Sequence, residues 1–148
     1  MTDQPQQPPQ QPVPPQQPNV PPPPHQQPAY AAAPQPLSQQ DEKTWATLVH
    51  LAPFLAAIVG IPFLGPLIVF LIFKDRGPFV RFHAAQALNF QIIVTIAFWV
   101  FGVLSFVLIG IPFLIATGIA WVILSIVAAV KANNGEWYRY PMTPELVK

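Results

Sequence analysis

Residues 74–91 read KDRGPFVRFHAAQALNFQ and link two long blocks of sequence without Asp, Glu, Lys or Arg. The first block covers residues 46–73 and the second covers residues 82–130. Uncharged blocks of this length are typical of helices that cross a membrane. Three of the seven Lys and Arg residues fall in the separating stretch, at Lys74, Arg76 and Arg81. The pattern therefore predicts a basic loop followed by the start of a membrane helix.

The composition excludes several classes of protein. With 52% hydrophobic and only 9% charged residues, the 148-residue chain is far from an ordinary soluble domain, and we expect the lipid bilayer to be its main environment. The net charge of +1 and the lack of a basic run interleaved with aromatics argue against nucleic-acid binding. Without cysteine the chain has no disulfide, thiolate metal site or cysteine nucleophile. No cleavable signal peptide is visible, so the first apolar block is expected to direct insertion.

Residues 1–40 contain 14 of the 21 prolines, together with many glutamines. Proline removes backbone donors and fixes φ, so this composition predicts a disordered tail rich in polyproline II. The tail is either a solvated spacer or a ligand for a partner that reads proline-rich peptides. In the second case Pro21 to Pro24 are the expected docking site.

The first apolar block allows two arrangements. As one straight helix it would be about 42 Å long, more than the ~30 Å hydrocarbon core requires. It is interrupted by Pro53, Pro62 and Gly65-Pro66. These interruptions favour either one kinked span or a hairpin of two short helices.

The second block is long enough for two crossings, with a break predicted at residues 110–112 and spans near 87–109 and 112–130. The pentapeptide GIPFL occurs at residues 60–64 and again at 110–114, which weakly favours a hairpin in both blocks. The predicted fold class is all-α, an integral membrane helical bundle of three or four membrane segments. It is preceded by the disordered tail.

We divide the chain into a tail (1–40), a membrane helical domain (41–133) and an aromatic and basic C-terminal segment (134–148). Basic residues flank the second block on both sides, and the positive-inside rule places such flanks in the cytoplasm. The prediction is a multi-pass cell-membrane protein with a cytoplasmic loop 74–81 and a cytoplasmic C-terminus. The tail is cytoplasmic if the first block is a hairpin and outside if it crosses once, and we expect it in the cytoplasm, because no separate export signal is then needed.

Polar side chains continue into the second block at helical spacing. His83, Gln86 and Asn89 recur every three residues and share an arc of about 120°. An amide that faced lipid would lose its hydrogen-bond partners, so this arc is expected to face another helix. The comparable polar group in the first block is His50, so the predicted cluster is His50, His83, Gln86 and Asn89.

The cluster has a structural and a functional interpretation. It can supply hydrogen bonds between helices, or it can form a proton relay, a metal site or a polar pathway. Two histidines without an intramembrane carboxylate are a poor metal site, so we expect no metal and no cofactor. Ser105 and Ser125 lie in apolar runs without an elbow motif or a nearby base, which argues against an enzyme.

The aromatic rings after the second block also have two interpretations. Trp137, Tyr138 and Tyr140 can anchor the chain at the headgroups, as amphipathic rings commonly do. Alternatively, the segment folds against residues 74–81 and the two form one cytoplasmic surface. The residues expected to contribute most to such an interaction surface are Arg76, Arg81, Trp137, Tyr138 and Arg139.

Several motifs together carry a family resemblance. They are Lys74-Asp75, Pro78-Phe79-Val80, His83-Ala84, Ala87 to Gln91, Lys131 to Glu136 and Tyr138 to Pro141. With these motifs the chain, from about residue 41 to 148, resembles a small prokaryotic multi-pass membrane-protein family of unknown function. That family is similar to the chloroplast inner-envelope import (Tic) component. The resemblance implies a multi-spanning helical bundle without a known cofactor.

The chain departs from that family at Arg76-Gly77 and at Ala85-Gln86, which leaves His83 and Asn89 as the stronger candidates. The predicted function is a non-enzymatic scaffold, assembly factor or translocation-related component with membrane-protein partners or a homo-oligomeric state. The alternative is a small transporter or channel that uses His50 and His83.

Overall fold

The computed structural model describes residues 34–148, and helices form most of that range. The predicted tail and its Pro21 to Pro24 docking site fall on residues 1–33, outside the described part. The helices are α1 (Gln39–Ala57), α2 (Leu64–Phe73), α3 (Pro78–Leu104) and α4 (Gly110–Asn133), with a short 3-10 turn at Ser105–Val107. Residues 34–148 contain no β-strand, so the all-α prediction is confirmed for this range.

Local signals set the starts of α1 and α3. The Ser38 hydroxyl oxygen accepts a hydrogen bond from the Asp41 backbone N–H at 3.1 Å, and Asp41 and Glu42 place negative charge in the first turn of α1. Pro78 occupies the first position of α3, where no backbone donor is required. Both helix starts therefore follow from residues within a few positions in the chain.

The first apolar block forms a hairpin and not one kinked span. The chain reverses between α1 and α2 at Gly60, whose φ of +78° favours glycine. Pro53 lies inside α1, and Pro66 lies in the first turn of α2, where its missing N–H is not needed. The two helices approach closely, because a Cβ added at Gly65 would lie 2.8 Å from Ala52.

Two helices are long and apolar enough to cross a membrane, against the three or four segments predicted. They are α3, extended by the 3-10 turn, and α4, and only 17% of the most apolar window of each is buried. Such exposure is not that of a soluble core helix. The ten residues of α2 rise only about 15 Å, half of a ~30 Å hydrocarbon core. α1 carries Asp41, Glu42 and Lys43 in its first turns, which shortens its apolar part.

The predicted break at residues 110–112 is wrong by a few residues. The chain turns at 105–109, where Leu108 adopts a left-handed φ of 64°, and Gly110 already begins α4. Pro112 is tolerated there because the first turn of a helix leaves its N–H groups without intrahelical partners. The two GIPFL copies therefore both lie at hairpin ends but occupy different positions within them.

The α1–α2 hairpin and the α3–α4 hairpin both have their polar end at the α2–α3 turn. Helix α2 ends at this turn and α3 begins there, so both extend away from it, but α3 rises about 40 Å and α2 only about 15 Å. The bundle is therefore four helices thick near residues 74–77 and only two helices thick towards the α3–α4 turn. We name the end with residues 74–77 the basic end and the opposite end the distal end.

α3 is buried on all sides in the half that lies at the basic end. Every residue from His83 to Gln91 is buried, although the stretch contains four polar side chains. In the distal half, large apolar side chains are exposed instead, including Trp99, Val103 and Phe106. Residues 83–91 therefore form a polar core inside protein, and the lipid-facing part of α3 comes after it.

The Glu42 carboxylate caps α3 from a neighbouring helix. Its Oε2 accepts hydrogen bonds from the backbone N–H groups of Phe79 at 2.8 Å and Val80 at 3.2 Å. Carboxylates stabilise a helix N-terminus by pairing with its unbonded donors and its dipole. Gly77 allows this approach, because a Cβ at that position would overlap the carboxylate.

Replacing Glu42 with alanine is expected to lower the free energy of unfolding by about 1 to 2 kcal/mol, as loss of an N-terminal cap commonly does. Gly77→Ala should have a similar effect, because the added methyl displaces the same carboxylate. The double variant should then cost no more than the larger single change. Unfolding of the purified protein in detergent measures all three, and simple addition of the two single effects would contradict a shared cap.

Candidate functional site

A chain of buried hydrogen bonds links three distant parts of the sequence near the basic end. His50 on α1 lies between His83 on α3 and Tyr140 in the C-terminal segment. His50 Nε2 is 2.9 Å from His83 Nδ1, and His50 Nδ1 is 3.0 Å from the Tyr140 hydroxyl. His83 Nε2 lies 3.1 Å from the backbone oxygen of Glu136. All four ring nitrogens therefore have a partner.

The partners fix the direction of donation along this chain when both imidazoles are neutral. The Glu136 carbonyl can only accept, so His83 Nε2 carries the proton and His83 Nδ1 accepts from His50 Nε2–H. His50 Nδ1 is then an acceptor and takes its hydrogen bond from the Tyr140 hydroxyl. Burial raises the pKa of Tyr140 above its usual value, which keeps the hydroxyl protonated and able to donate.

This arrangement joins α1 and α3 to the C-terminal segment. His50 and His83 are completely buried and Tyr140 nearly so. The Tyr140 ring also stacks on Phe90 with ring centres 3.9 Å apart and planes 8° apart. Residues 34–148 contain no group of three or more His, Cys, Asp or Glu side chains that could hold a metal ion. The geometry is that of a satisfied structural network that holds the segment in place.

The structure separates Gln86 and Asn89 from the two histidines. Asn89 binds the backbone of Val147 through both ends of its amide: its Nδ2 donates to the carbonyl at 2.9 Å, and its Oδ1 accepts from the N–H at 2.8 Å. Gln86 is buried and lines a groove beside the C-terminal segment. The predicted four-residue cluster is thus one histidine pair and two separate amides.

Two residues with polar contacts in the core, Tyr140 and Gln91, were not among the predicted site residues. Tyr140, for which both headgroup anchoring and packing against residues 74–81 were open, is the third member of the hydrogen-bonded chain. Gln91 points towards α4, where its Oε1 accepts from Trp121 Nε1 at 3.0 Å. The signal for Gln91 was its place in a polar run that enters an apolar block, and no sequence pattern identified Tyr140.

The C-terminal segment folds back onto the start of α3. The Trp137 ring meets the rings of Phe79 and Phe82 edge to face, with centres 5.1 and 4.9 Å apart. The Arg139 guanidinium lies over the Phe82 ring at 5.7 Å. Of the two arrangements left open for this segment, the observed contacts are those of packing against the beginning of α3.

The turn that starts this segment is held by its own polar groups. Gly135 ends α4 in a left-handed conformation, with a φ of +79°. Lys131 Nζ donates to Glu136 Oε2 at 2.6 Å, and this hydrogen bond lowers the pKa of the exposed Glu136 carboxyl. The turn directs the Glu136 carbonyl towards His83 and so connects the end of α4 to the histidine pair.

The five residues predicted as an interaction surface occupy two neighbouring places at the basic end. Arg76, Arg81 and Arg139 line a groove between the α2–α3 turn, the start of α3 and the C-terminal segment. Trp137 and Tyr138 lie outside this groove, and Trp137 keeps 58% of its surface exposed while packing on α3.

A family model described as the magnetosome magnetite crystal formation protein family matches residues 41–147. No curated protein and no solved structure matches the chain. The match supports the predicted small membrane-protein family without an established activity. It does not support the likeness to the chloroplast import component that the motifs of residues 74–91 and 131–141 had indicated.

Proposed function

The chain belongs to the magnetosome magnetite crystal formation protein family, and we propose that it is a non-enzymatic membrane scaffold that assists crystal formation from the magnetosome membrane. Its α3–α4 hairpin holds it in the bilayer, and the basic end presents an ordered surface to protein partners. The observation that carries this proposal is the folded C-terminal segment. Buried hydrogen bonds to His83 and Asn89 keep an otherwise irregular segment in one conformation.

An ordered surface favours recognition, because less conformational freedom is lost on binding. Trp137 is an aromatic side chain of the type enriched at binding hot spots. Its contacts with Phe79 and Phe82 hold the ring in place while much of it stays exposed. Arg139 is held over Phe82 beside it.

The charge distribution favours action from the basic end. In the described part of the chain, all Asp, Glu, Lys and Arg side chains lie in α1 before Ala46, in residues 74–81 or after Val130. The distal turn, residues 105–109, reads SFVLI and carries no ionisable group. With the basic end in the cytoplasm, as the positive-inside rule favours, the distal end offers no carboxylate to bind iron or mineral. We therefore place the working surface on the cytoplasmic side.

The test is complementation of a magnetosome-forming bacterium that lacks its own copy of this protein. A variant with Trp137→Ala and Arg139→Ala should reach the membrane in normal amount, yet crystal size should shift towards that of the strain without the protein. Partners cross-linked to the unchanged protein should be lost in parallel. Electron microscopy and cross-linking followed by mass spectrometry provide the two measurements.

The matched control is Met142→Asn, in the same segment but outside the surface. Met142 is fully exposed and has a φ of 56°, which asparagine tolerates well. The control should restore crystals. Full restoration by the Trp137 and Arg139 variant, with unchanged partners, would refute the proposal.

Neither of the other predicted roles gains support. A transporter or channel needs a path for its substrate, whereas His50 and His83 are completely buried and their ring nitrogens are all hydrogen-bonded. A translocation-related role, by likeness to the import component, rests on sequence motifs alone.

A further inference from the structure

A groove of about 690 Å³ opens at the basic end beside the start of α3. The α2–α3 turn forms one wall and the C-terminal segment forms the other. Basic side chains outnumber acidic ones along it, with Lys74, Arg76, Arg81, Arg139 and Lys148 against Asp75 and Glu145. A concave surface with an excess of positive charge attracts anionic ligands.

Two arginines of the groove are oriented by hydrogen bonds that leave some of their N–H donors free. Arg76 Nε donates to the Gln35 carbonyl at 3.0 Å, and Arg81 Nη2 donates to the Lys148 carbonyl at 3.3 Å. Each guanidinium has five N–H donors, so each keeps further donors for a ligand. Arg139 forms an ion pair with Glu145, whereas Arg76 and Arg81 form none with residues 34–148. Neither arginine is paired with an Asp or Glu side chain of residues 34–148, so both are oriented cations that can bind an anionic ligand.

Gln86 adds a neutral donor to the same groove. Its side chain lines the groove although only 4% of the residue is exposed. It takes part in none of the side-chain hydrogen bonds found within residues 34–148, in contrast to Asn89 and Gln91 on the same helix. The Gln86 amide is not among the side-chain atoms enclosed without a partner, so it is accessible from the groove and can donate a hydrogen bond to an oxygen-bearing ligand there.

The surroundings of the groove are those of a membrane interface. Leu71 and Ile72, on the last turn of α2, are more than half exposed and lie three and two residues before Lys74. Phe82 and Ala85 give the groove an apolar floor. A ligand with an anionic head and apolar chains would place its head among the arginines and its chains along α2.

From these features we propose that the groove binds the phosphate group of an anionic phospholipid. Arg76 and Arg81 contact the phosphate oxygens, since guanidinium groups match phosphate geometry well. Gln86 donates a further hydrogen bond. The groove shares both arginines with the surface described above, but lipid binding needs no protein partner and is measured on purified protein. Its failure is therefore distinguishable from failure of the scaffold role.

The experiment is native mass spectrometry of the full chain, released from detergent in the presence of phosphatidylglycerol or phosphatidylcholine. Phosphatidylglycerol should be retained and phosphatidylcholine should not. Arg81→Gln should weaken phosphatidylglycerol binding about fivefold, the effect of one basic residue near an anionic lipid surface. Arg76→Gln with Arg81→Gln should weaken it more than tenfold. Gln86→Leu should weaken it without changing the charge.

Lys43→Gln is the matched control, because it removes one positive charge that lies outside the groove and forms no ion pair within residues 34–148. Its binding should equal that of the unchanged protein. Equal losses in Lys43→Gln and Arg81→Gln, or equal retention of the two lipids, would overturn the proposal. A second arm adds inorganic phosphate. Displacement of the lipid by phosphate at the same concentration would assign the groove to free phosphate. That result would overturn the proposal that the bound phosphate group belongs to a lipid.

Discussion

His83→Ala is expected to release the C-terminal segment and to lower the free energy of unfolding by about 3 kcal/mol or more. An average hydrogen bond between membrane helices contributes only about 0.6 kcal/mol, so the bonds themselves are not the main loss. The larger cost comes from the group left behind. The buried His50 Nε2–H loses its partner, and a buried unpaired group costs about 1 to 3 kcal/mol. The missing ring also leaves a cavity.

Two measurements check this result. Thermal unfolding in detergent reports the loss of stability, and limited trypsin digestion reports the segment, because Arg139 precedes the buried Tyr140. Cleavage after Arg139 should become faster in the variant. Faster cleavage identifies release of the segment, which a general loss of helix packing would not single out.

Tyr140→Phe is the graded control for His83→Ala. It removes the donor to His50 Nδ1 but keeps the ring that stacks on Phe90. We expect a loss of about 1 kcal/mol and little change in trypsin cleavage. If His83→Ala were no more destabilising than Tyr140→Phe, the hydrogen-bonded chain would not be what holds the segment.

Gly110→Ala is expected to disrupt the turn between α3 and α4 and to destabilise the protein by about 3 kcal/mol. A Cβ at this position would overlap the carbonyl oxygen of Phe101 and would lie 2.8 Å from the Leu104 carbonyl carbon. These are backbone atoms, so no side-chain rotation can relieve the contact. The hairpin must open or the helix end must unwind, and in lipid the freed backbone groups have no water to bind.

Gly102→Ala is the control, because it is expected to change the free energy of unfolding in the opposite direction. It lies near the end of α3, and a Cβ there would meet no atom within 4 Å. Because glycine is the poorer helix former, this change should stabilise the protein by about 0.5 to 1 kcal/mol. Unfolding of both variants in the same detergent tests the pair. Destabilisation by Gly102→Ala as large as that by Gly110→Ala would show that the α3–α4 region rejects any methyl group, irrespective of contact.

The helix signals in the sequence succeeded where they act over a few residues. Ser38 caps α1, Pro78 begins α3 and Gly135 ends α4, each as its local chemistry predicts. The placement of the α3–α4 turn failed at Gly110 to Pro112. Proline and glycine there fit the first turn of a helix as well as a loop, and only the contact of Gly110 with the Phe101 backbone distinguishes the two.

The candidate site was predictable only in part. The polar run of residues 83–91 required protein partners rather than lipid, and burial of the whole run agrees with that requirement. The pairing of His83 with His50 could be predicted, because each apolar block contains one histidine. The positions of Gln86, Asn89 and Tyr140 were not, since the path of the C-terminal segment sets them and residues 134–148 carry no periodic pattern.

The sequence by itself determined that residues 74–91 join a basic turn to a polar helix start, and that apolar helices lie on either side. It could do so because charge, proline and hydrophobic length act locally. Only the tertiary structure decided what that helix start contacts. His50 and Tyr140 are 90 residues apart in the chain, and their hydrogen bond exists because the segment returns to α3 after α4 ends. Such a contact depends on how whole elements pack, which no short stretch of sequence specifies.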